Sequence, residues 1–307
     1  MLTPHAAPRL LHTQAPHITG HHTPPRLRLR RITRGNRALQ VGLLLLITLL
    51  LLALALPPLL VAPAFQHYDA VLQAPTVAHP LGTDALGRDL LSRLAQGARI
   101  SLLAAFGSQT LALLLGASVG GVAAMRGGRW DGLLMRLADA TLAFPALLLV
   151  VVLQSALSGG VAMLLLVIAL TTWPLYARLA RAQILVTRSA EYVLAARATG
   201  AAPARLLWSH LLPSARPALL VAAAFAVPQA VFLEASLGFL GLGAAPPTAT
   251  WGGLIRDAYD VILVRPQLIV APVLAVTVLT LAAALLAAGL TPPSRTQPIR
   301  PPSRQPR

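Results

Sequence analysis

Six stretches of the chain stay apolar for long enough to cross a bilayer, and polar segments rich in arginine separate them. A spanning helix needs about 20 mostly apolar residues. Ala38–Ala62 is the cleanest stretch, without a charge throughout. The segment before it is too long and too polar for a signal peptide, so the pattern predicts a retained first helix. Further spans are predicted at Ile100–Ala124, Leu137–Leu157, Val161–Tyr176, Ala218–Leu237 and Leu268–Leu290. The fourth is short and runs into Trp173-Pro174, and the third carries Asp139 near its start.

Composition supports the same reading. Apolar residues make up 56% of the 307 residues and charged ones 11%, with a mean hydropathy of +0.70. Soluble domains carry about 25% charged residues. A surplus of this size cannot be hidden in one core, because a protein surface must still meet water. There is no cysteine, which excludes disulfides, thiol catalysis and cysteine-based zinc sites.

The net charge of +16 comes from arginine alone, as the chain has no lysine. Nucleic-acid binding needs a basic stripe with interleaved aromatics. Aromatics are only 5%, and the arginines lie between apolar runs, so no nucleic-acid partner is expected. Membrane topology and contact with lipid explain them better. With six spans, twenty of the 25 arginines fall on one face: Arg9 and the cluster Arg26 to Arg37, then Arg126, Arg129 and Arg136, then Arg178 to Arg216, then Arg295 to Arg307. Arg88, Arg93, Arg99, Arg256 and Arg265 fall on the other. The positive-inside rule then puts both termini in the cytoplasm. The tails, 1–37 and 291–307, read as disordered. Between them, 38–98 holds the first helix and an outer segment, and 99–290 the main helical body. The tail histidines His5, His12, His17, His21 and His22 have no acidic or cysteine partner that would fix a metal geometry.

Three segments are too polar or too punctuated to be passive connectors. The first, HPLGTDALGRDLLSRLAQGARISL from His79 to Leu102, precedes the second span. Thr83 or Asp84 can cap a helix carrying Leu90, Leu91 and Leu94, with Arg88, Asp89 and Arg93 opposite. That predicts an amphipathic helix on the outer side, lying on the membrane surface or packed on the bundle, with Gly82 and Gly87 punctuating the segment. No nucleophile, base and orienter accompany these carboxylates, so catalysis is not expected.

The second segment, EYVLAARATGAAPARLLWSHLLP from Glu191 to Pro213, predicts two short helices. Gly200 ends the first, because glycine tolerates the left-handed C-terminal conformation. Pro203 suits the first turn of the next, which carries Arg205 and Trp208, and Pro213 ends it. Ala195, Ala196 and Ala198 beside Gly200 permit close approach by another surface; an ordinary amphipathic loop explains them equally well. The third segment, EASLGFLGLGAAPPTATWGGL from Glu234 to Leu254, closes the fifth span. Gly238, Gly241 and Gly243 precede Pro246-Pro247, and Trp251 follows. Irregular backbone at membrane depth is tolerated only within protein or along a watery cavity. Glu234 fits there, since an ionisable group in a span usually faces the bundle interior, although a snorkelling or paired structural carboxylate explains it as well or better.

Together these segments resemble the C-type membrane subunit of dipeptide, oligopeptide and nickel ABC importers. His79–Leu102 resembles the hallmark before that subfamily's second helix, and Glu234–Trp251 is similarly placed. Ala195, Ala196, Gly200, Leu212 and Pro213 match the permease "EAA" signature, with Leu194 at its glutamate position and Glu191 three residues earlier. The C-terminus lacks the Gly-Asp-Gly-Leu-Arg-Asp run common in relatives. The resemblance covers Ala38 to Leu290 and implies an all-α membrane protein of about six transmembrane helices with the ABC importer permease fold.

It further implies a bacterial inner-membrane subunit that pairs with a homologous permease, each docking its 191–213 segment on one of two cytoplasmic ATP-binding subunits. An extracytoplasmic solute-binding protein would deliver peptide, nickel or another small solute. Glu234, Gly238, Gly241, Gly243, Pro246, Pro247 and Trp251 become pathway or gate candidates. ATP belongs to the partners, because without lysine there is no Gly-Lys-Ser/Thr phosphate loop; no cofactor is expected on this chain. An ion-coupled secondary transporter or a non-transport scaffold are the alternatives. Inverted repeats and several intramembrane carboxylates would favour the former.

Overall fold

The computed structural model describes residues 36–60, 62–157, 160–245 and 247–291. The tails read as disordered fall outside these, apart from Asn36, Arg37 and Thr291, and so does Pro246. Among the described residues there is no β-strand, only an isolated bridge between Thr83 and Asp89. Five helices or helical runs are long and apolar enough to cross a membrane, and a sharply bent pair makes a sixth if counted as one span.

The first helix, α1 (Arg37–Ala55), starts where the Asn36 side chain accepts the Leu39 amide hydrogen. It lies along the last helix, α10 (Val270–Leu290), through close backbone approaches. A Cβ on Gly42 would sit 2.9 Å from the Ala282 carbonyl oxygen, and one on Gly289 2.6 Å from the Leu39 Cβ. Asn36 Nδ2 also donates to the Gly289 carbonyl at 2.8 Å.

The centre of the bundle is α2 (Leu90–Arg126), 37 residues long, packed along α5 (Val161–Thr187). Gly116 and Gly120, four residues apart, let the two backbones meet: side chains there would strike the carbonyls of Trp173 and Ala177. Small residues at this spacing are what close helix pairs in membranes use. Deeper in the seam the Tyr176 hydroxyl donates to Gln109 Oε1 at 2.7 Å.

Several expected boundaries move. The third span is two helices, α3 (Gly128–Ala143) and α4 (Ala146–Leu157), bent by 94° at Phe144-Pro145. Proline disfavours helical backbone at the residue before it, and Phe144 is extended. The fourth span does not stop at Tyr176 but passes through Pro174 to Thr187. Beyond α5 come α6 (Glu191–Ala198), α7 (Pro203–Leu206), a π turn at Leu207–Leu211, and α8 (Leu212–Phe239).

Pro213 therefore does not end a helix, contrary to the sequence expectation. The π turn widens the ladder, with the Leu212 N–H reaching back to the Leu207 carbonyl. That accommodates the missing proline N–H, and α8 continues through Pro217 and Pro228. After α8 the chain turns through α9 (Trp251–Asp260), too short to span, and reaches α10.

Candidate functional site

The three singled-out segments gather at the two ends of α2. Where α2 finishes, Ala124 packs in one buried cluster with Ile184, Val193, Leu206, Leu207, Leu211 and Leu212. This cluster clamps the 191–213 segment by its apolar side. The α6 helix ends in a Schellman motif: the Gly200 N–H donates to the Arg197 carbonyl at 3.0 Å, and the Ala201 N–H to the Ala196 carbonyl at 3.1 Å. Gly200 has φ +81°, the left-handed conformation expected of it. Pro203 opens α7 at its first position, also as expected.

Glu191, Ala195, Gly200, Arg205 and Trp208 point outward, and Trp208 is 57% exposed. Ala196 is half-buried, Leu212 buried and Pro213 half-buried, so these three support the segment from behind. Leu194, at the signature's glutamate position, is exposed, as is Tyr192 beside it. Tyr192 went unremarked in the sequence, although its place one residue after Glu191 puts it on the same short helix. The result is a rigid, outward-facing patch of mixed aromatic, aliphatic and basic character.

At the opposite end the hallmark segment is not a surface helix. Residues 83–89 are a loop, and the helix begins only at Leu90, capped by Asp89, which accepts the Ser92 amide at 2.8 Å. Gly82 and Gly87, at φ +78° and +70°, turn the loop so tightly that side chains would strike the carbonyls of Gln73 and His67. The Thr83 hydroxyl donates to the Ala70 carbonyl and accepts the Gln73 amide. Thr83 and Asp84, expected as helix caps, instead tie this loop together.

Asp84 is 5% exposed and accepts from the Leu86 and Arg88 amides, from Arg88 Nε at 2.7 Å and from Arg93 Nη1 at 2.5 Å. Arg93, expected on the face opposite the leucines, is 6% exposed. It also donates to Asp257 on α9 at 2.9 Å, with Arg88 Nη2 3.4 Å from the same oxygen. Four charged groups thus join the loop, α2 and α9 in one alternating network. Asp257 was missed because its partner Arg93 lies 164 residues away.

The third segment packs into the same end. Glu234 is fully buried on α8. Its oxygens face the hydroxyls of Ser101 and Thr250 without closing a hydrogen bond onto either. Ser101 Oγ accepts the Trp251 amide and Thr250 Oγ1 the Gly253 amide, so each hydroxyl keeps its own hydrogen to offer. Trp251 is 1% exposed; its indole N–H donates to the Leu94 carbonyl, and its ring fills the space a side chain on Gly97 would take. Gly238 lies against the backbone of Gly252 and Gly253, and Gly243 against Gly238. Gly241, at φ +78°, ends α8 beside the Arg256 guanidinium, and Pro247 is exposed. Among the described residues no cluster of His, Asp and Glu could hold a metal ion.

A bundle of apolar helices with a rigid outward patch at one end and a wired loop at the other suits a transport subunit that works with partners. Residues 112–293 match the family described as "Binding-protein-dependent transport system inner membrane component". The oligopeptide transport system permease protein OppC of Bacillus subtilis is 38% identical over 240 residues, 76% of this chain and 77% of that one. The glutathione transport system permease protein GsiD of Pectobacterium atrosepticum is 35% identical over 270 residues, 87% of this chain and 89% of that one. Among solved structures, a chain of the inward-facing MetNI methionine ABC transporter aligns with a TM-score of 0.49 at 19% identity, covering 65% of this chain and 97% of that one. The chain is a multi-pass membrane permease of the ABC importer class. It belongs to the family of binding-protein-dependent transport system inner membrane components.

Proposed function

We propose that this chain forms half of the translocation pathway of an ATP-driven importer for peptides, with a homologous membrane subunit forming the other half. The observation that carries the solute class is the similarity to permeases named for oligopeptide and glutathione transport, both peptidic solutes. Residues 191–213 are the docking segment for the ATP-binding subunits, with Tyr192, Arg205 and Trp208 in contact and Gly200 setting the turn. The loop 62–89 and α9 form the face that receives solute from a binding protein. Glu234, Gly238, Gly243 and Trp251 act from inside the protein as supports of that face.

In this reading ATP-driven closure of the partner subunits moves the α6–α7 segment, and the helices attached to it alternate between inward and outward states. The test is crosslinking in intact membranes from a photoreactive group at Trp208 or Arg205. An ATPase subunit captured from both positions is the expected result. If only lipid or non-ATPase proteins are captured, the docking assignment falls and the scaffold alternative advances.

Orientation rests on the arginine asymmetry, with both termini cytoplasmic. Val77 and Leu263 are almost fully exposed at the loop end, and Arg197 is exposed at the other. With cysteine placed at each, an impermeant maleimide added to spheroplasts will label positions 77 and 263 and spare 197. The opposite pattern inverts the topology.

A further inference from the structure

A groove of about 800 Å³ lies between α1 and α2. Leu46, Leu50, Leu54, Leu102, Leu103 and Phe106 line it, and Arg99 is the one charged residue in its wall. From Leu46 to Leu54 it runs about 12 Å along α1, at 1.5 Å per residue. The leucine face continues onto Leu43, Leu44, Ile47 and Leu51, all exposed. On a spanning helix such a face meets acyl chains.

Arg99 is held in place at one end of the groove. Its Nε donates to the Ala53 carbonyl at 2.6 Å and its Nη2 to the Leu54 carbonyl at 2.9 Å. These are carbonyls from the last turn of α1, which has no basic residue of its own there. A cation beside helix C-terminal carbonyls is well placed electrostatically. The remaining nitrogen, Nη1, keeps its two N–H donors for something outside the protein. An apolar slot with a fixed guanidinium at its mouth matches an acyl chain joined to a phosphate.

We propose that this groove binds a phospholipid, its acyl chain along Leu46–Leu54 and its phosphate diester on Arg99 Nη1. In the orientation proposed above the lipid belongs to the outer leaflet. Arg99 also opens the uncharged part of α2, the depth at which phosphates of that leaflet lie. A transmembrane helix of the second permease subunit would need an acidic side chain at that one level to satisfy Arg99; every phospholipid brings the anion at the right depth.

Native mass spectrometry of the full chain, purified with its copurifying subunits, tests this with two probes of identical acyl chains: phosphatidylglycerol, and diacylglycerol, which lacks the phosphate. Phosphatidylglycerol is expected to remain bound to the wild type and diacylglycerol to be lost. Arg99→Gln should lower phosphatidylglycerol occupancy about tenfold or more, by removing a charge-assisted bond. Leu103→Trp leaves the Arg99 contacts with α1 intact and fills the slot; it should lower occupancy similarly, which separates lipid binding from loss of the helix cap. Unchanged occupancy in either variant overturns the proposal. So does a disulfide between cysteine at position 103 and one placed in the partner membrane subunit, because the groove would then hold a helix. These readouts are independent of solute uptake, so they can fail while the importer reading stands.

Discussion

Replacing Gly200 by valine will leave the protein in the membrane at normal abundance and abolish solute-stimulated ATP hydrolysis by its complex. A Cβ at this position meets nothing within 4 Å, so no packing is lost. What changes is the backbone. At φ +81° a β-branched residue is a true outlier, and such strain costs roughly 1–3 kcal/mol. The chain relieves it by leaving the left-handed region, which breaks the two Schellman hydrogen bonds and lets α6 and α7 separate. The expected loss of ATPase association is about tenfold or more, at 1.4 kcal/mol per factor of ten. Asparagine tolerates the left-handed region better than other residues, so Gly200→Asn should retain much of the association. Pull-down of the ATPase subunit across valine, alanine and asparagine variants reads this order. Equal association for all three would mean that the turn does not position the docking segment.

Arg93→Leu will have the other large effect, and on stability. Arg93 sits between Asp84 and Asp257 with its side chain 7% exposed. Removing it leaves two carboxylates facing each other with only Arg88 between them. Breaking a buried pair from one side costs about 3–5 kcal/mol, because an uncompensated charge stays behind. Asp257→Asn should cost much less, since the Asp257 side chain is 39% exposed and water can replace its partner. Thermal unfolding of the purified chain in detergent compares the two. A midpoint fall in the arginine variant no greater than in the asparagine variant would show that the network does not hold α9 to α2.

The spans were legible because about 20 apolar residues in a row admit few other solutions. The turns at Gly200 and Pro203 were legible too, since each residue type matches one local backbone requirement. The start of α2 was not. Thr83, Asp84 and Asp89 are all good caps, and leucine spacing cannot choose among them. The choice falls to Gly82 and Gly87, whose positive φ keeps the chain out of helix until Leu90. Pro213 misled for a related reason: proline breaks an α ladder, but a π turn ending two residues earlier absorbs it. The Phe144-Pro145 bend lay in plain view, hidden by a hydropathy that does not register direction. Gly116 and Gly120 were a further readable sign, of close packing rather than of a turn. The Asp257 partnership and the half-burial of Ala196 depend on distant elements, and no local pattern announces them.

The π turn has a mechanical corollary. Because it carries the helix past Pro213, residues Pro203–Phe239 form one run of 37 residues, about 55 Å long at 1.5 Å per residue. One tip of this rod is the outward patch around Trp208, proposed above as the docking segment; the other abuts Gly252, Gly253 and Arg256 of α9. Tilting such a rod by about 5° swings one tip by about 5 Å relative to the other, close to one helical turn. With a pivot near mid-length, a partner at the Trp208 end can therefore shift the distant α9 by about half that distance, in the opposite direction, while every hydrogen bond within the rod stays made. The stroke needs a pivot, and the buried contact of Leu219 and Ala226 with Trp173 and Tyr176, partway along its length, stands where a fulcrum would.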